Sequence, residues 1–234
     1  MAVTDAPPPN PKPNAKPETR KANPRKAAAL ALARIRDQRA PLEAALDGTP
    51  GFNTMAPRDR AFARLLTATA LRRAGEIDCA IARLMSRPLP DSAQAVRDVL
   101  TLGIVQLLYL DTPPHAAVAT SVDMCEARHL AKFKGLVNAV LRRVAREGKA
   151  LLDGLDPARD NTPDWLWQSW SASYGEATAR AIAEAHMAEA PLDLCPRDAA
   201  DAARLAQELE GGAAAHRRHP ARRRRRHQRV ARLH

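Results

Sequence analysis

Several features that mark common functional classes are scarce in this 234-residue sequence. Its three cysteines, Cys79, Cys125 and Cys195, lie far apart, which indicates neither a metal-binding pair nor a disulfide framework. Aromatic residues make up only 3% of the chain, few for a β-sandwich and typical of an Ala/Leu-rich helical bundle. No apolar run approaches the roughly 18 residues that span a membrane, and no hydrophobic signal segment opens the chain. We therefore expect a helical, cytoplasmic protein without a metal site or a membrane partner.

The net charge of +11 is concentrated at the two ends of the chain. Residues 1–26 carry +4 and the nine arginines of residues 217–232 carry +9, which leaves −2 for the rest. Residues 1–23 form a proline-rich basic arm that we expect to be disordered, because it has almost nothing to bury. The part between the tails is nearly neutral, so its function depends on local patches of charge.

Helical periodicity and short turns dominate residues 24–150 and predict an all-α bundle of roughly six helices. Asn23 and Pro24 have the chemistry of an N-cap and a first helical position. The helix that opens at Pro57 is predicted to turn four residues inward, namely Phe62, Leu65, Leu66 and Thr69.

Residues 95–110 are apolar nearly all the way round, which predicts a helix surrounded by others. Asp91 or Ser92 is expected to cap it. Gly103 in its middle costs about 1 kcal/mol relative to alanine, and a close helix crossing is the simplest reason for it. A further helix is expected over residues 118–129, where the position of Cys125 predicts a small core residue.

The segment K-G-L-V-N-A-V-L-R-R, residues 134–143, combines an apolar stripe with a basic face. Its valines and leucines recur at helical spacing and are expected to be buried. Lys134, Asn138 and Arg142 stand four residues apart on another face. An amide between two cations suits either phosphate contact or a hydrogen bond that locks a neighbouring helix, and we expect the second role for Asn138.

After the bundle we expect a linker at residues 151–162, a partial α/β connecting subdomain at 163–212 and an Arg/His-rich tail at 213–234. The subdomain includes a short predicted strand, P-L-D-L-C-P, that contains Cys195. All three tryptophans lie at its start. Trp165, Leu166 and Trp170 share helical spacing, which predicts packing onto the bundle, with stacking on nucleobases as the alternative.

Three segments in this order resemble the NusB-like RNA-binding domain at the front of RsmB-type 16S rRNA (cytosine-C5) methyltransferases. They are R-D-R-A-F-A-R-L-L-T, L-G-I-V-Q-L-L-Y-L-D-T-P-P-H-A-A-V and K-G-L-V-N-A-V-L-R-R. The resemblance continues through W-L-W-Q-S-W-S-A-S-Y-G, which is similar to the connecting subdomain of that family, and covers about residues 24–210. It implies a NusB-like helical bundle, 16S rRNA as a partner, and S-adenosylmethionine as the cofactor of the full-length proteins.

The chain departs from the family in its catalytic features. It has no G-x-G-x-G turn. Such a turn is required because only glycine backbone lets a nucleotide-type cofactor approach a helix N-terminus closely. The family also carries two catalytic cysteines, one of which adds to C6 of cytosine, and Cys195 matches neither. We therefore expect no catalytic residue, no bound cofactor and no activity in this chain alone.

The resemblance stops near Glu210, where helical periodicity also ends. With one permitted choice of codons, residues 213–220 read from the second base give L-L-P-T-G-A-I-R, as expected of an RsmB-type chain. We interpret the Arg-rich tail as an out-of-frame product of a truncated methyltransferase. The alternative interpretation is a genuine tail that binds nucleic acid.

RNA contact is expected from basic residues that the motifs place on helix surfaces, since cations against phosphates dominate such binding. The candidates are Arg58, Arg60, Lys132, Lys134, Asn138, Arg142 and Arg143. The leading interpretation is the RNA-binding front portion of an rRNA (cytosine-C5) methyltransferase, whose missing catalytic domain would be a further partner. The alternatives are a stand-alone NusB-like RNA-binding protein in transcription antitermination and an inert fragment.

Overall fold

The computed structural model describes residues 23–126 and 130–189, together with Arg204 and Gln207. The chain divides into two compact units, Met1–Met187 and Ala188–His234, and the helices below belong to the first. They are α1 Pro24–Gln38, α2 Leu42–Asp47, α3 Pro57–Arg72, α4 Ala74–Leu84, α5 Gln94–Leu108, α6 Pro114–Met124, α7 Lys134–Glu147, α8 Pro157–Asp160, α9 Asp164–Tyr174 and α10 Glu176–His186. The expected all-α architecture is confirmed for these residues, and the predicted strand and Arg-rich tail lie outside them.

Helix α5 lies at the centre of the bundle, as its apolar sequence predicts. It packs against α1, α3, α4, α6 and α7. A Cβ atom added at Gly103 would lie 2.5 Å from Leu141 Cδ1 and 3.1 Å from Ser121 Oγ. The predicted close crossing is therefore real: α7 and α6 approach α5 where it has no side chain.

Several local predictions hold at the ends of the helices. The Asn23 side chain caps α1, since its Oδ1 accepts a hydrogen bond from the backbone N–H of Arg25 at 2.9 Å. Helix α2 ends at Gly48, as expected. Cys125 is fully buried beneath α6, in agreement with its predicted core role. Within the described ranges, no helix is long and apolar enough to cross a bilayer.

Three predictions about helix faces and ends are wrong. Leu65 is 38% exposed, because the side of α3 that faces α1 and α5 is built from Ala63, Leu66 and Ala70 instead. The start of α5 has no side-chain cap, since a 3-10 turn at Asp91–Ala93 leads the chain into the helix. Helix α6 stops at Met124 and a turn follows at residues 125–126, so the helix expected to reach residue 129 ends earlier; residues 127–129 lie outside the described residues.

The segment that follows α7 is folded against the bundle. The end of a 3-10 helix, Gly148–Leu152, and the whole of α8 lie within residues 151–162, the span expected to be a linker. Asn161 exchanges two hydrogen bonds with Glu76: its Oδ1 accepts from the Glu76 backbone N–H at 3.1 Å, and its Nδ2 donates to Glu76 Oε2 at 2.7 Å. The contact is close because Gly75 has no side chain. The polypeptide therefore continues the compact body past Glu147.

Helices α9 and α10 pack against each other, and α9 carries the three tryptophans. Trp165 is 70% exposed, so the expectation that it packs onto the bundle is wrong. Trp167 contacts two guanidinium groups, and the Cζ atoms of Arg159 and Arg180 lie 5.3 Å and 5.7 Å from its ring centroid. Trp170 meets His186 edge to face, with ring centroids 5.1 Å apart.

Candidate RNA interface

Helix α7 has one buried side and one basic side. Its apolar stripe, which the sequence predicted correctly, is formed by Val137, Val140, Leu141 and Val144. On the basic side, the Arg142 Nε–H donates a hydrogen bond to Asn138 Oδ1 at 3.1 Å. Asn138 thus orients a neighbour on its own helix, and the predicted lock between two helices is wrong. A neutral amide leaves the charge of Arg142 uncompensated.

Arg143 differs from Arg142, although the two are adjacent. Its Nε lies 2.6 Å from Glu147 Oε1, one turn further along the exposed surface of α7. This hydrogen bond lowers the pKa of the Glu147 carboxyl below its ordinary value. Arg143 therefore has a carboxylate partner within the helix and is a weaker candidate for phosphate contact.

The N-terminal end of α7 is electropositive. Its first turn contains no acidic residue, although carboxylates are favoured there by the helix dipole. Instead, Lys134 is the first helical residue, and Lys132 precedes it in a 3-10 turn with its Nζ 5.1 Å from the Phe133 ring. Cations at the positive end of a helix dipole do not stabilise the helix. An anion bound at this end would be attracted by both charges and by the positive end of the helix dipole.

Arg58 and Arg60 lie in the first turn of α3, on either side of Asp59. Arg58 is exposed and Arg60 half-buried, and neither forms an ion pair within the described residues. Helices α3 and α7 each pack against α5. The predicted candidates therefore form two groups on separate helices.

The sequence interpretation missed Arg72, at the C-terminal end of α3. No ion pair or hydrogen bond engages it among the described residues, and it lines a surface cavity with Leu71 and Trp170. Arg72 follows Arg58 by fourteen residues, so the two side chains lie within about 40° of each other around the helix axis. This helical spacing is the signal from which the sequence could have grouped Arg72 with Arg58.

Arg25, also basic and near the start of the bundle, serves the fold. Its Nε donates a hydrogen bond to Gln106 Oε1 at 2.7 Å, and its guanidinium lies 5.0 Å from the Phe62 ring centre. Burial lowers the pKa of this guanidinium. The contacts join the start of α1 to α3 and α5.

The described residues do not fit S-adenosylmethionine or a metal ion. They contain no strand, so the strand–glycine turn–helix that such a cofactor requires is not formed among them. The close approaches at Gly75 and Gly103 are filled by the protein's own Asp160 and Leu141. No group of three or more His, Cys, Asp or Glu side chains in the same residues could hold a metal.

Residues 22–146 match the NusB family. Among curated relatives, the chain is 35% identical to ribosomal RNA small subunit methyltransferase B of Xanthomonas campestris pv. campestris over 195 residues, which cover 82% of this chain and 43% of that protein. The protein of the same name from Pseudomonas putida is 35% identical over 74% of the chain and 39% of its own length. A Synechocystis protein described as probable ribosomal RNA small subunit methyltransferase B is 32% identical over 65% of the chain and 36% of its length.

This chain thus spans less than half the length of the relatives that it matches. The match to the family, by contrast, covers more than half of the chain and contains the whole α5-centred bundle up to Arg146. On these grounds the chain belongs to the NusB family.

Proposed function

We propose that this chain is the RNA-binding front portion of an rRNA (cytosine-C5) methyltransferase that acts on 16S rRNA. In the longer protein, S-adenosylmethionine would supply the methyl group, and residues outside those described would bind it. The names of the relatives support this proposal, since they are small-subunit rRNA methyltransferases. The role proposed for the present residues is to bind and orient RNA.

One observation carries the RNA-binding role: the electropositive end and face of α7. Lys132, Lys134 and Arg142 have no carboxylate partner within the described residues. The positive end of the α7 dipole lies at the same place as the two lysines. Exposed cations without carboxylate partners are the elements of a phosphate site, and phosphate contacts make up half or more of the hydrogen bonds in protein–DNA interfaces.

A second candidate function is stand-alone RNA binding in transcription antitermination, which the bundle alone could perform. One feature favours the methyltransferase interpretation over it. The alignment with the Xanthomonas protein runs over 195 residues, whereas the NusB match ends at residue 146. The similarity therefore includes segments beyond the bundle, which has α8, α9 and α10 attached to it.

The test is binding to fragments of 16S rRNA, measured by fluorescence anisotropy against length-matched fragments of 23S rRNA. We expect preference for 16S fragments, and weaker binding by Lys134→Ala and Arg142→Ala. Arg143→Ala is the matched control, because Glu147 already compensates that charge, and it should bind nearly as well as the wild-type protein. Equal affinity for the two RNAs would favour general RNA binding. Failure of wild-type protein to bind either would refute the RNA-binding role.

A further inference from the structure

We infer that the cavity between the C-terminal end of α3 and the α9–α10 pair binds an unstacked nucleobase of single-stranded RNA. This inference rests on the proposed RNA-binding function and adds a second contact to it, remote in sequence from α7. The cavity has a volume of about 270 Å³ and opens to the surface. Its walls include Leu71, Leu166, Trp170, Met187 and Ala183.

The chemistry of the lining suits a base attached to a phosphate. Trp170 offers an aromatic surface of the kind on which bases stack. Such stacking tolerates any base sequence, because every base has a π-face. Arg72 and His186 lie at the same cavity. Among the described residues no carboxylate lines it. A base can therefore enter a recess that has both apolar and polar walls while its phosphate remains beside a cation.

Arg72 has no ion pair within the described residues that would explain its position. It lies fourteen residues after Arg58 on the same helix, about 21 Å along the axis and about 40° around it. Exposed Leu65 lies midway between them. The surface of α3 thus carries a cation near each end of one stripe, and the cavity lies at the Arg72 end. A single strand that follows this stripe would reach the cavity with its backbone beside Arg72.

A second, larger recess does not have these properties. It has a volume of about 500 Å³ and lies between α1 and α5, near the end of α6. Asp98 and Glu126 line it, and no tryptophan among the described residues does. Lys26 also lines it, and Asp98 is paired with Arg36 at 2.7 Å, so what the described lining of this recess lacks is an aromatic surface on which a base can stack. The smaller cavity is therefore the better site for a base, although it has about half the volume.

The test compares two labelled probes, a 12-nucleotide oligoadenylate and the same ribose-phosphate chain with abasic positions. Trp170→Leu should weaken oligoadenylate binding about 5- to 150-fold, which is the measured range for one base–aromatic stack. Binding of the abasic chain should change little, since its phosphate contacts remain. Tyr174→Leu, on the same helix, is the control: Tyr174 is 62% exposed and does not line the cavity, so both affinities should stay near those of the wild type.

A second measurement leaves the cavity intact. In a Trp165→Phe/Trp167→Phe protein, Trp170 is the sole remaining tryptophan, and its fluorescence should be quenched by oligoadenylate but not by the abasic chain. Equal loss of both affinities in Trp170→Leu, or binding of oligoadenylate without quenching, would overturn the nucleobase site while leaving RNA binding intact. If the wild-type protein binds neither probe, the proposed function fails and the inference fails with it.

Discussion

Replacing Gly75 by alanine should detach the segment around α8 from the bundle. A Cβ atom at this position would meet the backbone carbonyl of Asp160, with its carbon at 2.5 Å and the amide nitrogen of Asn161 at 3.1 Å. Backbone atoms cannot rotate away as a side chain can, so the segment must move. Its two hydrogen bonds with Glu76 would then be broken or strained.

The expected cost follows from those hydrogen bonds. A bond between neutral groups contributes about 0.5–1.5 kcal/mol and one to a charged group about 1.5–3 kcal/mol. Against this loss, alanine is more favourable than glycine in a helix by about 1 kcal/mol. We therefore expect Gly75→Ala to lower the free energy of unfolding by about 1–3 kcal/mol.

Urea unfolding followed by circular dichroism measures this change. Gly135→Ala is the matched control, because a Cβ at Gly135, in the first turn of α7, meets nothing within 4 Å. That variant should be as stable as the wild type or more stable by up to about 1 kcal/mol. If Gly75→Ala were as stable as Gly135→Ala, the close packing of Asp160 on α4 would be refuted.

Three further predictions concern the core, the thiols and the pH dependence. Gly103→Val should lower the urea midpoint, because Leu141 and Ser121 fill the space beside Gly103; an unchanged midpoint would contradict the close crossing. Peptide mapping of the native protein after treatment with iodoacetamide should show slow labelling of Cys125, because burial raises the pKa of its thiol. Half-exposed Cys79 should be labelled faster. Equal labelling rates would contradict the burial of Cys125. The hydrogen bond from Arg180 lowers the pKa of the Asp156 carboxyl in the folded protein. This pair therefore stabilises the folded state fully above the unfolded pKa of about 3.9, and the stabilisation is lost as the pH falls through the folded pKa. The stability difference between wild type and Asp156→Asn should therefore narrow between pH 6 and pH 3, and a difference independent of pH would refute this pairing.

The sequence predicted the bundle well because its signals are local. An N-cap at Asn23, an apolar helix interrupted by Gly103, and the stripe of α7 each depend on residues within a few turns of one another. One error has a non-local cause. Leu65 is as apolar as Leu66, and only the direction from which α1 approaches decides which of the two is buried.

The candidate site was predicted less completely than the fold. Periodicity placed Lys134, Asn138 and Arg142 on one face, but the interpretation of the sequence did not use the i,i+4 spacing of Arg143 and Glu147, which distinguishes Arg143 from Arg142. That difference depends on Glu147, which is one turn away from Arg143 and pairs with it. The cavity at Trp170 was missed because its walls come from α3, α9 and α10, which are brought together only by folding.

In the proposed function, the basic face of α7 binds RNA through phosphate contacts. The most direct test is the salt dependence of binding to a single-stranded 16S rRNA fragment, measured for the wild type and for Lys134→Ala/Arg142→Ala. Each lost phosphate contact should reduce the slope of log K against log salt by about 0.7, so the double variant should lose about 1.4. A slope equal to that of the wild type would contradict the account.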